Sequence, residues 1–412
     1  MASVVEMKSS DSMSVSTRAS MTGALKSPVT TEIEINFPQL SDKSQVQQLL
    51  TKFRQKSGRS AKDELKSLRK LHEGIDRCDY KACHKALADK ANPNAGLKPT
   101  SLTPIHRALD RAEKCIESDD KAAATEAIRI VSALVIAGSD LEVRDNEGRS
   151  PLIRVAKGEM TDDLASLMID FGANVNAVDK QKNSALHYAA MSSALPEMRN
   201  TELVRILVTN GADISIKNDR GRTPLFTAVL FDHLERAEDL LEHGADVSTT
   251  DINDRTPLYT AVIQGYSRMI KLLCASGAYV DIKDKNGQTP LHYAISHGRS
   301  EVAETLLAAG ADTNLVSKGE TPLCRATSKC NLQIIDLLLR HGADVAVPSP
   351  NYGGALAIHL AAIGPSAEVL KRLLEAGSPS SAHDDSKRTP AEWAVEAGKH
   401  ENARLLHAYA AG

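Results

Sequence analysis

Thirteen histidines and six cysteines are the residues of this 412-residue chain that could do chemistry, since imidazole and thiolate bind zinc and serve as bases or nucleophiles. Their spacing speaks against it. Cys78, Cys83, Cys115, Cys274, Cys324 and Cys330 contain no C-x-x-C pair, and the separations of Cys78 from Cys83 and of Cys324 from Cys330 match no zinc-ligand spacing. His72, His106, His187, His292 and His359 recur at one position of a Leu-His or Ile-His motif, one per copy, too far apart to share a metal. Cys324 takes that position in another copy, where a small packed side chain suffices. His243 and His341 precede a helix-ending glycine, where an imidazole suits the helix C-terminus. Asp213, Asp246, Asp312 and Asp344 could suggest paired carboxylates, yet they too come one per copy after Gly-Ala, as hairpin formers. No Gly-x-Gly-x-x-Gly, Gly-Lys-Ser/Thr loop or His-Glu-x-x-His occurs. The expectation is a chain with no catalytic residues, no metal and no cofactor.

What positions these residues is a repeat. The segments 'LTPIHRAL', 'RSPLIRVA', 'NSALHYAA', 'RTPLFTAV', 'RTPLYTAV', 'QTPLHYAI', 'ETPLCRAT', 'ALAIHLAA' and 'RTPAEWAV' align, with their Thr-Pro positions at Thr103, Ser150, Ser184, Thr223, Thr256, Thr289, Thr321, Leu356 and Thr389. The gaps are 47, 34, 39, 33, 33, 32, 35 and 33 residues, a period near 33 with two insertions. Leu71-His72 marks a tenth, N-terminal copy. Thr before Pro is a helix N-cap followed by proline at the first helical position, so each copy starts a helix at a fixed point. A second helix follows, as in 'RMIKLLCASGAYV', and ends at a glycine suited to the left-handed position. That glycine recurs in eight copies, whereas the first copy has Lys90, which predicts a looser turn there.

This series resembles the ankyrin-repeat family over residues from about 65 to 412. The resemblance implies an all-α solenoid of stacked helix-turn-helix units with β-hairpin loops, no catalysis, and structural hydrogen bonds from the motif histidine around the Thr-Pro turn. It also implies that partners lie against the hairpin tips and the concave first-helix face. One unit cannot bury its own apolar face, so stability comes from the interfaces between neighbours. With only 3% aromatic residues, the core must be Leu, Ile, Val and Ala.

Outside the array, residues 1–42 are Ser-rich and aperiodic, which predicts a disordered tail. Over 43–64, Val46, Leu49, Leu50 and Phe53 fall at i, i+3, i+4, i+7, a helix that could cap the first copy or seek a partner. Segment 52–70 carries eight basic and two acidic residues, a nuclear-localisation signal or a solvated helix face. The two insertions, 'EKCIESDDKAAATE' and the stretch around 'SSALPEMRN', are expected as loops between the helices of their copies. A formal charge of −3 supplies no pull toward nucleic acid or a membrane, and no run of 18 apolar residues exists. The expected setting is reduced and intracellular, cytoplasmic or nuclear, for a monomer whose partners are proteins or peptides.

Projected on the repeat frame, Met191, Leu230, Phe231 and Ile263 put large apolar groups on three consecutive copies at concave positions, and His297 follows at the same face. An exposed apolar stripe marks an interaction site. Alternatively, Leu230 or Phe231 turns inward beneath the irregular 'LFDHLERA' turn. The tips add Lys180, Lys182, Lys217, Arg220 and Arg222 against Asp179 and Asp219. A basic patch beside an apolar stripe suits an acidic, hydrophobic peptide or helix. The sequence thus predicts a non-enzymatic binding scaffold or adaptor. The alternative is an inhibitory or targeting subunit of an enzyme or transcription factor, with segment 52–70 directing it to the nucleus.

Overall fold

The computed structural model describes residues 61–96, 102–158, 160–192 and 202–411. Ten helix pairs follow one another along them. The first pair is α1 (Ala61–Asp76) and α2 (Tyr80–Ala88), the second α3 (Pro104–Glu117) and α4 (Lys121–Ile136), and the last Pro390–Glu396 with His400–Ala411. The 1–42 tail and the 43–60 part of the expected capping segment lie outside the described residues, as does the 'SSALPEMRN' insertion from Ser193 on.

The helix starts are where the Thr-Pro rule puts them. Thr223, Thr256, Thr289 and Thr321 adopt extended backbone, and each hydroxyl accepts the N–H three residues on, at 3.1 to 3.3 Å. Proline then occupies the position whose missing N–H costs nothing. Leu356 has no side-chain acceptor to offer, and its own N–H is bound instead by Nδ1 of His359 at 3.1 Å. Buried leucines at 152, 186, 225, 258, 291 and 323 follow the caps, and alanines at 189, 228, 261, 294 and 326 pack against neighbouring helices. Small side chains let first helices approach closely, so one apolar core runs from Leu71 to Leu406 with few aromatics in it.

Between pairs, the chain runs out into an arm. Asp145, Asp179, Asn218, Asp251 and Asp284 each turn Oδ1 onto the backbone N–H groups two and four residues on. Neighbouring arms are tied by single backbone hydrogen bonds: Lys180 N–H to Glu147 O (3.0 Å), Asp219 to Gln181 (3.0 Å), Ile252 to Arg220 (3.1 Å) and Lys285 to Asn253 (2.9 Å). Only three isolated bridges, and no named strands, occur in these hairpin arms among the described residues. Asp213, Asp246, Asp312 and Asp344 likewise accept the N–H two residues on, which accounts for their recurrence without acid-base chemistry.

Two expectations are corrected. 'EKCIESDDKAAATE' forms no loop: α3 and α4 run 14 and 16 residues, against 7 and 9 in the pair Pro151–Lys157 and Asp162–Asp170. Its Ala, Glu and Lys favour helix, and the Asp120 carboxylate caps α4 by accepting Ala123 N–H at 3.0 Å. The turn at Lys90 is no looser than the others. Lys90 takes φ +58°, and the N–H groups of Lys90 and Ala91 close on Leu87 and Ala86 at 2.9 and 3.0 Å, as Gly138 and Ser139 close theirs. Hydrogen bonds of the turn hold the side chain in a region that costs about 1–2 kcal/mol.

Candidate partner-binding surface

The site begins at the cap of the helix Ala185–Met191. Ser184 N–H and Oγ–H both donate to Nδ1 of His187 (3.2 and 3.0 Å), which leaves Nε2–H to donate to the carbonyl of Arg222 in the next arm at 2.9 Å. Burial holds the His187 pKa below the usual imidazole range, so the ring is neutral near pH 7 and can serve as both donor and acceptor. This is the role the family resemblance implies for the motif histidine. His292 repeats it, with Thr289 Oγ1 at 2.7 Å and Glu320 O at 3.1 Å.

One residue beyond His187, Tyr188 donates its hydroxyl to Oδ2 of Asp179 at 2.7 Å, closing the arm back onto the helix. Burial and that hydrogen bond push the phenol pKa well up. Asn218 Nδ2–H donates to Asn183 Oδ1 at 2.9 Å, so the next arm stands beside the first with Arg220 and Arg222 on it. At the helix ends, the Met191 carbonyl accepts from His233 Nε2–H at 2.9 Å, and the His233 ring stacks with Phe231 at 6.3 Å.

A groove of about 230 Å³ results, lined by Tyr188, Met191, Thr227, Leu230 and Phe231 on its floor and by Arg220 and Arg222 on the arm side, with Gln181, Asn183, Asn218 and Asp219 completing the wall. Leu230 and Met191 are half-buried, whereas Phe231 stays 46% exposed, so the inward alternative does not describe Phe231. Asp232 takes the left-handed φ of +59° where Gly265, Gly298 and Gly398 serve in their own copies, and so turns the chain directly after that ring. The Arg222 guanidinium lies 5.4 Å from the Phe226 ring centroid, and burial lowers its pKa from the usual value.

The structure therefore brings together Met191, Leu230, Phe231, Arg220 and Arg222. It separates the others. Ile263 is half-buried on the helix Pro257–Gln264, one repeat on and outside the groove lining. Lys180 and Lys182 are exposed on the arm of Asp179, and Lys217 is exposed with Nζ on Thr250 O at 3.1 Å. His297 lies two repeats away, its ring stacked 4.0 Å from Tyr293 and Nδ1–H donating to Tyr293 O. Tyr188 lines the groove, and Ile252 stands beside it outside the lining, although charge and motif patterns do not single them out. Ile252 is 59% exposed at the tip of the next arm, its N–H bound to Arg220 O. An apolar residue at an arm position held by lysine in Lys180 and Lys285 was its signal.

Elsewhere on the array, arginines in the first helices are neutralised from within. Arg154, nearly fully buried, holds Asp110 at 2.7 Å and Glu113 at 2.8 Å, and Arg325 holds Glu320 at 2.8 Å. Arg220 and Arg222 make no close ion pair among the described residues, and with Asp219 as the one carboxylate in the lining the groove wall keeps a net positive charge. Among the described residues, no group of three or more His, Cys, Asp or Glu is placed to hold a metal ion, and no helix is long and apolar enough to cross a membrane.

Residues 121–218, 194–284 and 277–349 each match a family model described as ankyrin repeats, together more than half of the chain. Among curated relatives, B-cell lymphoma 3 protein homolog of Mus musculus is 33% identical over 158 residues, 37% of this chain and 31% of the relative. Ankyrin repeat and SOCS box protein 6 of Homo sapiens is 36% identical over 104 residues, 25% of this chain and 24% of the relative. The chain thus spans less than a third of the length of these two relatives. Among solved structures, the ankyrin repeat domain of Bcl-3, "a unique member of the IkappaB protein family", aligns with a TM-score of 0.45 and 24% identity over 69% of this chain and 99% of that one.

Proposed function

Given that the chain belongs to the ankyrin-repeat family, we propose that it is a non-enzymatic protein-binding scaffold whose groove between the repeats of Ser184 and Thr223 takes an acidic, hydrophobic peptide segment. The observation that carries this is one juxtaposition: an apolar floor of Met191, Leu230 and Phe231 faces two arginines that make no close ion pair among the described residues and outnumber the single Asp219 of the lining. Apolar side chains on the floor desolvate, and Asp or Glu flanking them pair with Arg220 and Arg222, which sets register and speeds encounter. Lys180, Lys182 and Lys217 on the exposed arms extend the positive field, while Ile263 and His297 on the following repeats lengthen the concave track for a longer partner. In this reading the array from about residue 65 is the binding unit, capped by segment 43–64. Leu65, 44% exposed near the start of α1, supports such a cover.

The same reading takes the protein as an intracellular monomer without nucleic-acid or membrane partners, supported by a formal charge of only −3. A displayed peptide library sorted against the full chain tests it. Enriched sequences are expected to place Asp or Glu beside Leu, Ile or Phe, and to lose binding when Leu230→Asp and Phe231→Asp are combined in a chain with unchanged helical circular dichroism. Enrichment that ignores this double variant would sink the groove as the site.

A further inference from the structure

The two extra turns of α3 do something the repeat does not require. Residues 111–117 lie beyond the seven-residue length of the other short first helices, and they carry Arg111 and Cys115 at i and i+4, on one side of the helix. Both side chains face Cys78, in the turn between α1 and α2. Cys78 Sγ lies 4.0 Å from Cys115 Sγ and accepts a hydrogen bond from Arg111 Nε–H at 3.1 Å. Cys78 is half-buried and Cys115 is 5% exposed, so Cys78 is the more accessible of the two to a small solute.

Cys78 also stands at φ +53°, a backbone conformation that Gly265, Gly298 and Gly398 adopt freely at the corresponding turns. Cys330 occupies the same turn in its own copy, with φ +51° and the same pattern of turn hydrogen bonds. No second thiol and no guanidinium is placed at its sulfur among the described residues. The molecule therefore contains the reactive arrangement and its control.

We propose that Cys78 and Cys115 form a redox modification site, at which a small hydroperoxide converts the two thiols into a disulfide joining the first repeat to the second. The Cys78 sulfur, as thiolate beside the guanidinium, attacks one peroxide oxygen. The O–O bond breaks, Cys78 becomes a sulfenic acid, and the departing hydroxide or alkoxide takes up a proton. The Cys115 sulfur then attacks the Cys78 sulfur. The S–O bond breaks, the S–S bond forms, and the leaving hydroxide takes the Cys115 proton to give water. Two thiols are oxidised by two electrons and one peroxide is reduced. The division of roles follows from position: Cys78 is the more accessible sulfur and has the Arg111 Nε–H beside it to stabilise charge developing on the departing oxygen, and burial together with the adjoining Cys78 raises the Cys115 pKa.

The test uses the full chain, one equivalent of hydrogen peroxide, rapid alkylation of free thiols and unreduced peptide mapping. A single cross-link between the peptides of Cys78 and Cys115, lighter by two hydrogens than the reduced pair, is expected. Cys78 should be consumed at least ~10-fold faster than Cys330, and Arg111→Gln should remove most of that advantage. Cys115→Ser should leave a sulfenic acid at Cys78 that dimedone captures. Equal rates at Cys78 and Cys330, or oxidation of Cys78 without linkage to Cys115 in the unmodified chain, would overturn the proposal. Both of those readings need no variant to fold.

Discussion

The imidazole of His187 donates from Nε2 to the main-chain carbonyl of Arg222 at 2.9 Å while its Nδ1 accepts from Ser184, so one side chain joins the cap of its own helix to the arm that opens the next repeat. That arm carries Arg220 and Arg222, and the helix carries Tyr188 and Met191. The two walls of the groove are therefore held in register by a ring 2% exposed to solvent.

Replacing His187 by alanine removes both connections and leaves the Arg222 carbonyl without its partner. A loss of about 1–3 kcal/mol in urea unfolding is expected. Binding of an acidic, hydrophobic peptide should weaken about 10-fold or more, because the arginines lose their fixed place. A similar change at His72, remote from the groove, is expected to cost stability and leave that binding intact. Equal effects of the two substitutions on binding would refute the positioning role of His187.

At Arg154 the energetic issue is a buried charge. Its guanidinium is 3% exposed and bridges Asp110 and Glu113 from one repeat to the next, with the His106 carbonyl as a further acceptor at 3.2 Å. Arg154→Met removes the buried charge and leaves Asp110 and Glu113, 42% and 28% exposed, to solvent, so a destabilisation of about 1–3 kcal/mol is expected from denaturant titration. Arg154→Lys should recover less than half of it, since an ammonium cannot present the planar fork that reaches both acids. Full recovery by lysine would show that charge alone matters there.

How much could be read without coordinates differs from residue to residue. Thr223, Thr256 and Thr289 announce their helices because Thr-Pro has few other uses, and the heights of Leu230 and Phe231 on the first-helix face follow from their phase after the cap. The contact of Tyr188 with Asp179 is another matter: it depends on an arm folding back across nine residues, which no periodicity encodes. Phase also says nothing about where adjacent repeats leave a gap. Thus Ile263, at the same height as Leu230, falls outside the groove. The helical extension of α3 was masked by its length, since 14 residues beyond the period read equally as a loop until Asp120 is seen capping α4.

Glycine positions in the arms separate strain from collision. Gly221 has φ +70°, and a Cβ added there would meet Ile252 N at 3.2 Å and the Asp251 carbonyl carbon at 3.3 Å. Gly244 has φ +86° and nothing within 4 Å of such an atom. Gly244→Ala is expected to cost only the backbone penalty of about 1–2 kcal/mol. Gly221→Ala should cost more and also disturb the hydrogen bond from Ile252 to Arg220, lowering peptide binding at the groove. Thermal unfolding and a binding titration of both variants check the ordering.

Acid should unfold the array through its motif histidines. Burial lowers the pKa of His72, His106, His187, His292 and His359 below 6.5, and that of His292 to about 4. Between the folded and unfolded values the unfolded chain binds more protons, so stability rises with pH across that window. The contribution is complete above about pH 6.5 and is lost as pH falls toward the folded value. For His292 alone the loss between pH 6.5 and 4 is on the order of 3 kcal/mol. Urea midpoints should therefore fall steadily as pH drops from 7 to 5. In His292→Gln the midpoint at pH 7 should be lower than in the unmodified chain, but its further fall with acid should be shallower. An unchanged slope in that variant would mean that His292 takes up its proton in the folded protein without penalty, which the burial of its ring does not allow.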